Sequence, residues 1–111
     1  MQKIIAEAEF RYQPIGGAIR PVRIYVRAPY DLNEGGAWGS YCHIEGLLDK
    51  ERRACGEGSM QALCLALVML KIELRFHEAR GGRFYHAGDP AIPISAEDIF
   101  GDCIAMPEFQ E

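Results

Sequence analysis

The sequence lacks an apolar run long enough to cross a lipid bilayer. Its most apolar stretch, ALCLALVML at 62–70, is nine residues long, whereas a spanning helix needs about 20. The N-terminal stretch MQKIIAEAEFRY lacks the long apolar segment and the small-residue cleavage site of a signal peptide. We therefore expect a cytoplasmic protein without membrane contact.

The residue spacings of a metal site or a disulfide scaffold are also missing. No CxxC pair and no HxxxH pair occurs among the cysteines and histidines. Without an export signal, an oxidising compartment is not expected. We predict free thiols, with Cys64 buried in a helix, and neither a metal nor another cofactor.

Motifs for catalysis are missing as well. The glycines form neither GxGxxG nor GxxxxGK[ST], the spacings that bind phosphate. Cys42 and His43 are adjacent in a predicted strand, so their side chains point to opposite faces and cannot act together. Glu73 and His77 share a helix face, an arrangement more often found in a surface pair than in a catalytic one. We therefore predict that the protein is not an enzyme.

Length and composition are those of one folded domain spanning residues 1–111. With 49% hydrophobic and 25% charged residues, the chain can bury a core without disulfides or metal. Alternating apolar and polar residues predict an N-terminal antiparallel hairpin with Glu7 and Glu9 on its outer face. After the turn-forming stretch PIGGAIRP, the alternation resumes with Arg23 and Arg27 on that same face, near the two glutamates.

A long helix is predicted from about Met60 to about Ala79. Ser59 is placed to cap its start, and the glycine pair at 81–82 is placed to end it. Between 62 and 70 the helix is apolar all round, so it needs cover on more than one side, from the C-terminal segment or from a second copy of the chain.

The second half of this helix is predicted to be amphipathic. Ile72 and Phe76 form its apolar side, and Lys71 belongs to its wet side.

Further strands are predicted at AWGSYCHIEGLL, at RRAC and at RFYHAG, and DPAIP follows the last of them. Ser95 and Asp98 have the spacing of a capping box at the start of a short helix. The final CIAMPEFQE carries apolar residues that we expect to dock on the body. The prediction is an α+β domain: an antiparallel sheet of four to five strands wrapped around one long central helix, plus a short C-terminal helix.

Three of these segments also carry a resemblance. CHIEGL, then GEGSMQALCLALVMLKIEL, then GGRFYHAGD resemble a small bacterial domain family of uncharacterised function, with a strand, a Gly/Ser-capped QAL helix and a GG-led strand. The resemblance covers roughly residues 37–90. It implies a bacterial cytoplasmic α+β domain and supplies no catalytic residues.

Charge is distributed unevenly along the chain, and this distribution suggests a function. All twelve Lys and Arg residues lie within 1–83, whereas residues 84–111 contain six acidic residues and no basic one. Such an end repels nucleic acid and attracts a basic protein, although it can also serve solubility alone. The leading hypothesis is a protein-binding inhibitor, an immunity protein or antitoxin that neutralises a basic, nuclease-type toxin. Its predicted partner-binding residues are Asp89, Glu97, Asp98, Asp102 and Glu108.

Two alternatives stay open. One is a small ligand-binding or enzymatic domain with a pocket between sheet and helix, lined by Trp38, Tyr41, His43 and His86. The other is a homodimeric structural module in which ALCLALVML forms the interface.

Overall fold

The computed structural model describes residues 1–101. The predicted docking of CIAMPEFQE and the candidate residues Asp102 and Glu108 lie outside this range. The elements, in chain order, are β1 Ile4–Gln13, β2 Arg20–Arg27, β3 Tyr30–Asp31, β4 Ala37–Glu45, β5 Arg52–Glu57, α1 Ser59–Ala79, β6 Arg83–His86, β7 Asp89–Ile94 and α2 Ala96–Phe100.

All strands belong to one antiparallel sheet. Its order is β5, β4, β2, β1, β6, β7, and the short β3 pairs with β4 on the same side as β2. The predicted α+β class with one long and one short helix is confirmed, with seven strands instead of four or five. The stretch DPAIP, which was not among the predicted strands, is part of β7, which tolerates its prolines because it pairs on one side only, with β6.

The hydrophobic core lies on one face of the sheet, beneath the two helices. The strands contribute alternate residues to it, among them Phe10, Val26, Ile44 and Phe84. The helix α1 contributes small and large residues spaced four apart, which is the repeat of one helix face: Ala62, Ala66, Leu70 and Leu74.

This buried stripe rotates α1 away from the predicted orientation. Lys71, expected on the wet side, is 2% exposed, whereas Ile72 and Phe76 are 44% and 50% exposed. Cys64, expected to be buried, is exposed. Where a helix is apolar on all sides, hydrophobicity alone does not determine which side faces the sheet. In α1 the side with Ala62 and Ala66 faces it, because these small side chains allow a close approach.

The two ends of α1 differ in how well they were predicted. The N-cap is Gly58 and no side chain caps it, so the predicted Ser59 cap is wrong. Instead, the Gln61 side chain accepts a hydrogen bond from the backbone amide of Glu57 at 2.5 Å. The predicted glycine ending is confirmed, because Gly81 has a φ of 93° and the amide of Gly82 donates to the carbonyl of His77.

The short helix α2 starts as predicted. Ser95 accepts a hydrogen bond from the amide of Asp98, and the Asp98 carboxylate accepts one from the amide of Ser95, which completes a capping box. Helix α2 packs beside α1, where Glu78 accepts a hydrogen bond from the amide of Ala96.

Candidate functional site

The face of the sheet opposite the core has no helix against it within residues 1–101. We call it the open face. Strand alternation gives it polar and aromatic side chains from the five strands β1 to β5: Glu7, Glu9, Arg11, Arg23, Tyr25, Arg27, Tyr30, Tyr41, His43, Glu45, Arg53 and Cys55.

Tyr25 is at the centre of the open face and is only 5% exposed. Its hydroxyl donates a hydrogen bond of 2.6 Å to Glu51, whose carboxylate also accepts from Arg27. The guanidinium groups of Arg23 and Arg27 each lie 5.1 Å from the centre of the tyrosine ring, and the His43 ring meets it edge-on at 5.6 Å.

These contacts hold Tyr25 neutral and Glu51 charged at neutral pH. Burial and the hydrogen bond to Glu51 both raise the pKa of Tyr25. Burial acts to raise the pKa of Glu51, but hydrogen bonds from Tyr25 and Arg27 outweigh it, so the pKa of Glu51 is lowered. The arrangement is a fixed ion pair with a neutral donor, which stabilises the surface and does not transfer protons at neutral pH.

Replacing Glu51 by glutamine tests this cluster. The variant is expected to lose about 2 kcal/mol of unfolding free energy at pH 7, since two hydrogen bonds to a charged acceptor are weakened. A carboxylate with a lowered folded-state pKa stabilises the fold above its ordinary pKa of about 4.3, and this contribution disappears as the pH falls through the lowered value. The difference between variant and wild type in urea denaturation should therefore shrink below about pH 4. A difference that is constant from pH 7 to pH 3 contradicts this assignment, and Glu34→Gln in an exposed loop is the control.

Next to Tyr25, three carboxylates surround one guanidinium. Glu9, Arg23 and Glu45 lie opposite one another on β1, β2 and β4. Arg23 also forms an ion pair with Glu7 at 2.5 Å, and its pair with Glu45 is longer, at 3.3 Å. Since one cation cannot neutralise three anions, this group of Glu7, Glu9, Arg23 and Glu45, which we call the acidic row, attracts positive charge.

An aromatic pair lies at the other end of the open face. The Tyr30 and Tyr41 rings stack with centres 5.7 Å apart and planes at 11°, and Arg53 donates a hydrogen bond to the Tyr30 hydroxyl at 3.2 Å. Gly39 makes room for the Tyr30 ring, because a Cβ at this position would lie 3.1 Å from it.

The four residues predicted to line a pocket do not share one site. Tyr41 and His43 lie on the open face, whereas Trp38 alternates onto the helix side of β4. His86 is on β6, opposite Phe10 and therefore on the core side of the sheet, where its ring accepts a hydrogen bond from the amide of Gly88. The open face thus brings together only two of the four.

The three predicted acidic residues within the described range each have a local partner. Asp89 accepts a hydrogen bond from the amide of Ala91, and Asp98 belongs to the capping box of α2. Glu97 forms an ion pair with the buried Lys71 at 2.8 Å. Their carboxylates therefore contribute to the local structure, which makes them less free to bind a partner than the acidic row.

A groove of about 190 Å³ lies on the core side, between α1 and α2. Its floor contains Ala6 and Ala8, and its walls contain Leu67, Ile99 and Phe100. It has almost no polar lining, so it offers no group for acid–base chemistry.

Within residues 1–101 we find neither a cluster of metal-binding side chains nor an activated thiol at Cys42. No group of three or more His, Cys, Asp or Glu side chains in this range could hold a metal ion. Cys42 faces the core, and burial raises the pKa of its thiol to about 11, so that it stays protonated at neutral pH. Neither of the described helices is both long and apolar enough to cross a membrane.

Comparison with known proteins identifies a family. The model of a family described as a domain of unknown function, DUF6968, matches residues 9–92. No curated protein and no solved structure gives a significant match. The family match confirms the resemblance to an uncharacterised domain family. It spans the open face from Glu9 onward and ends before α2.

Proposed function

We propose, for a chain that belongs to the DUF6968 family, a function as a non-enzymatic protein-binding domain whose partner docks on the open face. One observation carries the proposal: a full face of the sheet presents tyrosine, arginine and glutamate side chains, and neither described helix packs on it. Tyrosine and arginine are enriched at protein interfaces, where they supply much of the binding energy.

The charges of the acidic row favour a basic partner, whereas over the whole open face Arg11, Arg27 and Arg53 balance the carboxylates. The acidic row leaves an excess of carboxylate, and Glu7 and Glu45 are each 48% exposed. Exposed carboxylates around a rigid aromatic centre attract lysine and arginine side chains and raise the association rate. A nucleic acid is disfavoured, because Arg23 and Arg27 already have carboxylate partners with which phosphate must compete.

The finer form of the proposal is an immunity protein or antitoxin that neutralises a basic, nuclease-type toxin. Two features support it: the local excess of carboxylate in the acidic row and the preorganised cluster at Tyr25, since rigid surfaces lose less entropy on binding. The exposed free thiols Cys55 and Cys64 suit a cytoplasmic location. We propose the acidic row as the main contact surface, whereas the sequence led us to predict the C-terminal acidic residues.

The test begins with the partner that co-purifies when the protein is co-expressed with its neighbouring reading frame. Its affinity is measured by calorimetry for the wild type and for Glu9→Lys plus Glu45→Lys. Like charges at an interface cost several kcal/mol, so we expect a loss of about hundredfold or more. The control, Glu34→Lys plus Asp89→Lys, changes the net charge equally and should retain affinity within about threefold.

Equal losses in both variants contradict docking on the open face, and an acidic partner contradicts the charge argument. The toxin hypothesis has its own readout, which is rescue of host growth when the partner alone arrests it. If the partner binds but arrests no growth, the binding proposal holds and the toxin hypothesis is wrong.

A further inference from the structure

The outer edge of β5 has backbone groups that no described strand pairs, although the outward amide of Glu57 donates to the Gln61 side chain. The amide of Gly58 donates to the carbonyl of Gly36 at 3.2 Å, which fixes the alternation of the β4–β5 ladder. In that alternation, the backbone groups of Arg53, Cys55 and Glu57 point away from β4. The bond from the Glu57 amide to Gln61 confirms this direction. No strand among residues 1–101 pairs with this edge, so a further strand can pair with it once the Gln61 side chain releases the amide of Glu57.

The side of α1 that faces this edge is apolar. Gln61 reaches the outward amide of Glu57, so the residues that share its side of the helix also lie along the β5 edge. Leu65, Ile72 and Phe76 are on this side and are 40%, 44% and 50% exposed, with the half-buried Met69 between them. We call these four residues the edge seam. Exposed apolar side chains in a continuous strip mark an interaction surface.

The edge is complementary to itself. When two β5 strands pair antiparallel about a two-fold axis at Cys55, Arg53 of each copy comes opposite Glu57 of the other, on the open face. The symmetry makes this ion pair twice, and Ala54 meets the small Gly56 on the helix side. Opposite charges on directly facing residues stabilise a strand pair, and an isologous contact of this kind closes as a dimer.

The same symmetry brings together the Leu65 ends of the two edge seams, because the part of α1 level with Cys55 lies between Gln61 and Glu73, nearer to Gln61, while Ile72 and Phe76 lie farther from the axis. The helix α1 runs antiparallel to β5, since Gln61 contacts Glu57 and Glu73 contacts Arg52. It packs mainly on β5 and β4. With strands about 4.8 Å apart, two such helices lie about 10 Å apart across the axis, which is close to the usual spacing of packed helices.

From these observations we infer that two copies of the chain associate through the β5 edge and the edge seam, forming one continuous sheet with two open faces on the same side. This extends the proposed function without depending on it, because the dimer contact uses the edge and the binding proposal uses the face.

A charge exchange tests the register. The wild type is expected to sediment at twice its monomer mass of 12.4 kDa at micromolar concentration. Arg53→Glu and Glu57→Arg each place like charges opposite one another and should raise the dimer dissociation constant at least about tenfold. The double exchange, Arg53→Glu plus Glu57→Arg, restores opposite charges and should restore the dimer. A wild type that is monomeric at about 100 µM overturns the inference, and so does a folded double variant that stays as weak as the single ones.

A second pair of variants tests the seam. Leu65→Lys places a charge between the two helices and should dissociate the dimer, whereas Met60→Lys, at a residue that is 75% exposed and off the seam, should not. Circular dichroism establishes that each variant is folded. A dimer that tolerates Leu65→Lys as well as Met60→Lys shows that α1 does not take part and overturns the inference.

Discussion

Replacing Gly56 with alanine is expected to lower the free energy of unfolding by about 3 kcal/mol. A Cβ on Gly56 would lie 2.7 Å from the backbone nitrogen of Ala62 and 3.0 Å from the backbone carbon of Gln61. Because these are backbone atoms of α1, a rotamer change cannot relieve the clash, and the first turn of the helix must move off β5. The loss should appear as a lower urea midpoint with an unchanged slope.

Gly35→Ala is the matched control. Gly35 has a φ of 62° and no atom within 4 Å of its virtual Cβ, so only backbone strain opposes the change. Its expected cost is about 1 kcal/mol. If Gly56→Ala costs no more than Gly35→Ala, the close approach of α1 to β5 is not as described. The position of the edge seam along β5 would then be wrong as well, since it depends on the close approach of α1 to β5.

Phe84→Ala is expected to cost about 4 kcal/mol. Phe84 is 1% exposed, and its ring meets Phe10 edge-on at 5.2 Å and Tyr12 at 5.1 Å. Truncation leaves a cavity that these two neighbours on β1 cannot fill without leaving their strand. Differential scanning calorimetry should show a large fall in melting temperature.

The control for this variant is Ile92→Ala on β7, where the side chain is 49% exposed. It should change stability by about 0.5 kcal/mol or less. A similar cost for the two variants contradicts the placement of the aromatic cluster in the core.

Local patterns predicted the hairpin, the C-terminal end of α1 and the start of α2, but not the N-terminal cap of α1. The pairing of Arg23 with Glu7 follows directly from the alternation of the two strands, and the glycine ending of α1 and the Ser95 capping box were also predicted. Arg27 is an exception, because it pairs with Glu51 in a turn that has no pattern of its own.

Features set by tertiary packing were not predictable. The side of α1 that faces the sheet is decided by the close approach of Ala62 and Ala66. This rotation of the helix about its axis is why Lys71 is buried and Cys64 is exposed. The same limit applies to Tyr25. Its position between Arg23 and Arg27 on β2 follows from strand alternation, but its burial beneath these two arginines depends on β4 and on Glu51. The spacing of arginine, tyrosine and arginine at alternate positions is the signal that could have identified it.

Carboxyl footprinting of the complex with the co-purified partner tests the central claim most directly. The protein is labelled with carbodiimide, free and bound, and the modification of each carboxylate is compared by mass spectrometry. Docking on the open face predicts that binding protects Glu7, Glu9 and Glu45, while Asp89 and Glu97 react as in the free protein. Protection of Asp89 and Glu97 without protection of the acidic row would contradict the claim.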